Sequence, residues 1–150
     1  MLSNARRISP TLTVLVVDDD PCMLHYVRAL LESDSYKVET AGSGNEALDH
    51  LRAGVSPDVV LLDVNMPEMD GLQTLRQLLQ FRPGLKVIMC SGIADPRKAL
   101  AAFLMGAQDF LTKPFRHLYL SAALERCVHS RRDNKSVPWQ VVREMWEVST

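Results

Sequence analysis

Val14-Leu15-Val16-Val17-Asp18-Asp19-Asp20-Pro21 joins a strand, an acidic edge and a helix start within eight residues. Four consecutive apolar residues leave no polar face, as in a parallel strand covered by helices on both sides. Three aspartates end the run. Asp20 can then cap a helix, and Pro21 suits its first position, where no backbone N–H is needed. Leu24, Val27 and Leu31 follow at helical spacing on one face. The segment therefore reads as one βα unit.

The rhythm recurs along the chain. Short strand-like runs lie at Leu12–Val17, Lys37–Thr40, Val59–Leu62, Val87–Cys90 and Asp109–Leu111. The second and fifth are less apolar and are placed mainly by the spacing. Helix signals fill the gaps. Ser43-Gly44-Asn45-Glu46 fits a capping box before Ala47, Leu48 and Leu51. Asp70-Gly71 precedes Leu72, Leu75 and Leu79, and Asp95-Pro96 precedes Leu100, Phe103 and Leu104. A fifth helix is expected from Phe115 to about Arg131, with Leu118, Ala122 and Val128 inward. Alternating strands and helices imply an α/β fold with a parallel sheet and right-handed crossovers. The expected organisation is an extension over 1–10, an α/β domain over 11–131, and a linker with a short amphipathic tail helix over 132–150. In that tail Trp139, Val142, Met145 and Trp146 share one side.

Composition narrows the class further. Hydrophobic residues make up 47% and charged residues 23% of 150 residues, and 17 basic against 18 acidic side chains leave a net charge of −1. There is no basic excess of the kind that nucleic-acid binding needs. A chain of this length buries about 70% of its unfolded surface, enough for one self-sufficient core. Cys22, Cys90 and Cys127 are odd in number and lack CxxC spacing, which argues against a disulfide framework or a zinc site. Met1–Pro10 has no apolar stretch of signal-peptide length, and the longest apolar run, Ala99–Met105, is far too short to span a bilayer. The cytoplasm is the expected location.

Ligands of open α/β sheets bind outside the carboxyl ends of the strands. Asp18, Asp19 and Asp20 follow the first run, Asp63 the third, Ser91-Gly92 the fourth and Lys113-Pro114 the fifth. Each residue alone has an ordinary role as a cap, turn or surface residue. Their joint arrival at one sheet edge is what points to a site. Clustered carboxylates disfavour one another's charge, and a hard divalent ion, Mg²⁺ or Mn²⁺, relieves this with oxygen ligands alone. Lys113 and the Ser91 hydroxyl suit phosphoryl oxygens, and Gly92 leaves room for an incoming group. A carboxylate can itself be the nucleophile, and Asp63 is the candidate because it sits centrally among the strand ends. No P-loop, dinucleotide fingerprint, GxSxG elbow or HExxH motif is present. His25, His50, His117 and His129 have no metal-ligand spacing and read as helix-surface residues.

These residues carry a resemblance. Val16-Val17-Asp18-Asp19-Asp20-Pro21, Leu61-Leu62-Asp63-Val64-Asn65-Met66-Pro67-Glu68-Met69-Asp70-Gly71, Met89-Cys90-Ser91-Gly92, and Gly106-Ala107 followed by Thr112-Lys113-Pro114-Phe115 resemble, in order, the motifs of the receiver domain of two-component response regulators. The resemblance covers residues 11 to about 131. It implies a doubly wound, flavodoxin-like (βα)5 sheet in the order 2-1-3-4-5, and a signalling domain rather than a conventional enzyme. It implies that Asp63 is the phosphoryl acceptor. Asp19, Asp63 and the backbone carbonyl of Asn65 would be Mg²⁺ ligands, with Asp18 acting through water. Ser91 and Lys113 match the switch hydroxyl and lysine, Lys113-Pro114 a cis peptide, and Phe110 the aromatic switch position. Ser91 stands where Thr is commoner, and Phe110 has no hydroxyl. The implied partners are a sensor histidine kinase and a downstream effector domain or protein. A homodimer would use the face of the fourth helix, fifth strand and fifth helix, or the tail helix. No nucleic-acid or membrane contact is expected of this segment. Whether it acts alone or within a longer regulator stays open. The alternative is a Mg²⁺-dependent phosphohydrolase with an aspartate nucleophile, which normally needs a cap domain for which this chain has no length. A flavodoxin-like cofactor binder would want a phosphate-cradling loop where three aspartates stand.

Overall fold

The computed structural model describes residues 11–93 and 95–130. The expected extension, linker and tail helix lie outside these residues. Among the described residues, ten elements alternate in order: β1 (Thr13–Val17), α1 (Pro21–Ser33), β2 (Lys37–Ala41), α2 (Gly44–Arg52), β3 (Val59–Asp63), α3 (Gly71–Phe81), β4 (Val87–Ser91), α4 (Pro96–Met105), β5 (Asp109–Thr112) and α5 (His117–His129). All strand pairs are parallel, in the order β2-β1-β3-β4-β5. This is the expected flavodoxin-like sheet.

The apolar runs bury both faces, as their patterning requires. Leu15, Val17, Val60, Leu62, Val87 and Met89 face one core with Leu48, Leu51, Leu75 and Leu78 of α2 and α3. Val14, Val16, Leu61, Ile88 and Cys90 face the other with Val27, Leu31, Leu120 and Leu124 of α1 and α5. Four helices start on a side-chain cap. Asp20 accepts from Cys22 N at 2.9 Å, Ser43 from Glu46 N at 3.1 Å, Asp70 from Gln73 N at 2.8 Å and Asp95 from Arg97 N at 3.0 Å. Asp20 is thus a cap, and the Gly42-Ser43-Gly44 turn is capping chemistry, with Glu46 returning to accept from Gly42 N at 2.8 Å.

Two helices depart from expectation. α5 begins at His117 rather than Phe115, and its N-cap, Arg116, makes no side-chain cap bond, so no capping residue marks the boundary. Its buried residues are Leu120, Ala123, Leu124 and Cys127, whereas Leu118 is 77% exposed. The inward stripe is therefore offset from Leu118, Ala122 and Val128. On α4 the small residues Ala99 and Ala102 are buried and Leu104 is 75% exposed. In both helices apolar residues occupy more of the circumference than one packing face needs, so periodicity alone does not select the face.

Candidate functional site

Register brings the acidic residues together. Val17 pairs with Leu62 across β1 and β3, so Asp18 and Asp63 leave the sheet side by side. Asp63 pairs with Cys90, which places Ser91 one residue further along β4, opposite Thr112 of β5. Lys113 follows, and its N–H donates to the Ser91 carbonyl at 2.6 Å. The Lys113-Pro114 bond is cis. Gly71 makes the junction possible from the α3 side. A Cβ there would stand 2.3 Å from the Asp63 carbonyl oxygen and 2.6 Å from Val64 Cα, so only glycine fits.

One carboxylate oxygen each from Asp18, Asp19 and Asp63 lies within 4.8 Å of the others. Asp18 and Asp63 are only 3% and 6% exposed, while Asp19 is open to solvent. Lys113 Nζ donates to Asp18 Oδ2 at 2.5 Å and lies 3.3 Å from Asp63 Oδ1. Three carboxylates against one ammonium leave two uncompensated negative charges when all four are ionised. Burial, then the charge of Asp18, pushes the Asp63 carboxyl above the ordinary carboxylate value, against the pull of Lys113. Burial works against the Lys113 charge, but the hydrogen bond to Asp18 and the two carboxylates outweigh it and hold its pKa above the ordinary value. The excess negative charge and the oxygen-only donor set fit a hard divalent cation. Among the described residues, Asp18, Asp19 and Asp63 are the grouped side chains able to hold one.

The hydroxyl side is also ordered. Ser91, 2% exposed, donates through Oγ to the Ile93 carbonyl at 2.9 Å and accepts from Ile93 N at 3.1 Å. Asn65 Nδ2 reaches the same Oγ at 3.4 Å, and Asn65 N–H reaches Asp63 Oδ1 at 3.4 Å. Gly92 has open space where a Cβ would be. Phe110 is half-buried and packs on the α2–α3 core, on the same face of the sheet as Met89 and, by strand alternation, Ser91. Two contributors were not legible in the sequence. Lys98 on α4 donates to Asn65 Oδ1 at 3.3 Å, and an exposed lysine carries no pattern that announces this. Gly71 precedes the Leu72, Leu75 and Leu79 stripe and ends the second resemblance motif, but its close approach to Asp63 follows only from three-dimensional packing. Cys90 lies just beneath the site, and burial raises its thiol to about 12, leaving it protonated at neutral pH. His50 contacts the Thr40 carbonyl and His117 pairs with Asp34, both away from the acidic edge.

The family model described as the response regulator receiver domain matches residues 14–125. The chemotaxis protein CheY of Listeria monocytogenes is 40% identical over 116 residues, covering 77% of this chain and 97% of that protein. The transcriptional regulatory protein ZraR of Escherichia coli is 38% identical over 115 residues, again 77% of this chain but 26% of that longer protein. Among solved structures, the CheX–CheY–BeF3–Mg²⁺ complex of Borrelia burgdorferi contains a chain of similar fold. It has a TM-score of 0.74 and 26% identity, over 80% of this chain and 90% of that one.

Proposed function

This chain belongs to the response regulator receiver family, and from that premise we propose that Asp63 takes a phosphoryl group from the phosphohistidine of a sensor histidine kinase. The observation that carries the reading is the pairing of a nearly buried Asp63 with Lys113 at 3.3 Å, at an edge that Gly92 leaves open. The Asp63 carboxylate attacks phosphorus in line, the P–O bond forms and the P–N bond to the donor imidazole breaks. Lys113 neutralises charge on the transferred group and the Ser91 hydroxyl turns from Ile93 to donate to a phosphoryl oxygen. Asp19, Asp63 and the Asn65 carbonyl would hold Mg²⁺ (or Mn²⁺), with Asp18 acting through water. The cation supplies charge neutralisation where three carboxylates and the phosphate meet.

The switch follows from the charge. The product adds up to about two negative charges at a packed edge. As Ser91 turns toward them, Phe110 moves into the space behind it, and the face of α4, β5 and α5 changes. Leu104 on α4 and Leu118 on α5 are exposed apolar residues there, suited to an effector domain, an effector protein or a second copy of the chain. A switch from 1:99 to 99:1 needs roughly 5.5 kcal/mol of differential stabilisation. Lys113, Ser91 and the cation must therefore act together. The domain signals rather than turning over substrate, and its only chemistry is its own phosphorylation and dephosphorylation. None of its described helices is long and apolar enough to cross a membrane, and a cytoplasmic place beside its kinase suits the role. The phosphohydrolase alternative is not favoured, since the relatives are signalling receivers. Incubation with a small-molecule phosphodonor, with and without Mg²⁺, tests the reading. Labelling should require the cation and vanish in Asp63→Asn. Cation-independent labelling of that variant would refute it.

A further inference from the structure

The opposite end of the sheet holds a second polar feature that the phosphoacceptor reading does not use. A cleft of about 280 Å³ opens between the loop before β3, the α3–β4 turn and the end of α5, with Ser56, Asp58, Arg82, Gly84, Lys86 and Val128 in its wall. Lys86 is five residues from Ser91 along β4, so the cleft lies about 16 Å from the acidic edge.

Two cations line it. Lys86 Nζ donates to the Val128 carbonyl at 2.8 Å and to the Ser130 carbonyl at 3.1 Å, which leaves one of its three hydrogens for another acceptor. Arg82 is more telling. Its Nη1 is fully buried and has no hydrogen-bond partner among the described residues. A buried guanidinium nitrogen without an acceptor is rare, and a turn of the Arg82 side chain toward the cleft would let an acceptor held there satisfy it. The carboxylate in the wall, Asp58, is exposed, and its Oδ2 accepts from Thr13 N at 2.8 Å. It forms no ion pair with Arg82 or Lys86 within 4.0 Å among the described residues. The wall thus carries one net positive charge. The Ser56 hydroxyl adds a donor.

We propose that this cleft binds a small oxyanion-bearing molecule, a phosphate or carboxylate compound. Arg82 would supply the principal contact and Lys86 the second. The volume is at the lower edge of small-ligand pockets, which suits a compact metabolite rather than a nucleotide or a peptide. A planar guanidinium matches a phosphate or carboxylate through two parallel hydrogen bonds. The occupant would join the residue before β4 to the end of α5 through Lys86.

The test is an amide NMR titration of the full chain with inorganic phosphate and, in parallel, succinate. It is done in EDTA so that no divalent ion draws anions to the acidic edge. The proposal expects saturable shifts at Ser56, Gly84, Leu85 and Lys86 with either or both anions, and unchanged signals at Gly92 and Lys113. Arg82→Gln should weaken the response at least tenfold, while Arg82→Lys should retain part of it. Both variants should keep the wild-type spectrum elsewhere. Shifts that rise linearly without saturation, that survive in Arg82→Gln, or that appear only at Gly92 and Lys113 would overturn it. If Arg82→Gln does not fold, the wild-type saturation curve and its location alone decide. Because phosphorylation of Asp63 is not measured, failure here would leave the phosphoacceptor reading standing, and the reverse.

Discussion

Replacing Lys113 with Met keeps the stem and removes the ammonium that lies 2.5 Å from Asp18 and 3.3 Å from Asp63. Both carboxylates are nearly buried, so the variant leaves two unpaired acids whose oxygens lie within 4.8 Å of each other. Breaking a buried pair by deleting one partner costs about 3–5 kcal/mol. The chain has one escape, which is to protonate Asp63. Protonating a carboxylate of ordinary pKa 3.8 at pH 7 costs about 4.4 kcal/mol, at 1.36 kcal/mol per unit. Asp63 already sits above that value, so the escape is cheaper and the loss at pH 7 should lie at the lower end of the range for a broken buried pair, about 3 kcal/mol. At pH 5 the same ceiling falls to about 1.6 kcal/mol. Urea unfolding in EDTA reads this directly. With m near 2 kcal/mol/M, the midpoint should drop by about 1.5 M at pH 7 and by less than half as much at pH 5. Mg²⁺ at pH 7 should restore part of the loss, since the cation replaces the missing positive charge. A Lys113→Met midpoint equal to wild type at pH 7, or a loss independent of pH, would refute the electrostatic account of the site.

Other consequences follow from the same geometry. Gly71→Ala forces a Cβ against the Asp63 and Val64 backbone and should cost about 1–3 kcal/mol, whereas Gly92→Ala meets open space and should stay within about 0.5 kcal/mol; thermal unfolding of the two variants separates them. Asp63 has a raised pKa in the folded state, so its contribution to metal-free stability is fully present below 3.8 and is lost as pH rises through the folded value. Unfolding midpoints in EDTA should therefore improve on acidifying from pH 7 toward pH 4, and Asp63→Asn should flatten that rise. Asp34 works in the other sense. Hydrogen bonds from Ser121 and then His117 hold its pKa low, so its share is present above 3.8 and is lost only on further acidification; Asp34→Asn should remove that low-pH loss in the same assay. Mg²⁺ at one hundred times its dissociation constant should stabilise the chain by about 2.7 kcal/mol, and Asp19→Asn should abolish most of this increment in a calorimetric scan.

The fold was open to sequence reading because strands such as Val14–Val17 and Val59–Leu62 are apolar on both faces and because aspartates and a serine mark four helix starts. The edge was open for a related reason. In a parallel sheet the residue after each strand arrives at one rim, so Asp18, Asp63, Ser91 and Lys113 could be gathered from order alone. What stayed hidden depends on packing. α5 has no capping side chain and carries Leu118 among its apolar residues, so neither its start nor its buried stripe follows from spacing. α4 buries alanines and exposes Leu104 because its inward face is close to its neighbours. The Lys98–Asn65 bond joins residues 33 apart in sequence, and the close approach of Gly71 to Asp63 and the burial of Arg82 Nη1 likewise depend on packing that no periodicity encodes.

The most direct measurement identifies the phosphorylated atom. The chain is treated with phosphodonor and Mg²⁺, reduced with borohydride, which converts an aspartyl phosphate to homoserine, and mapped by peptide mass. The account predicts homoserine at position 63 and an aspartate still at 18, 19 and 20. Homoserine at any of those three, with residue 63 unchanged, would contradict it.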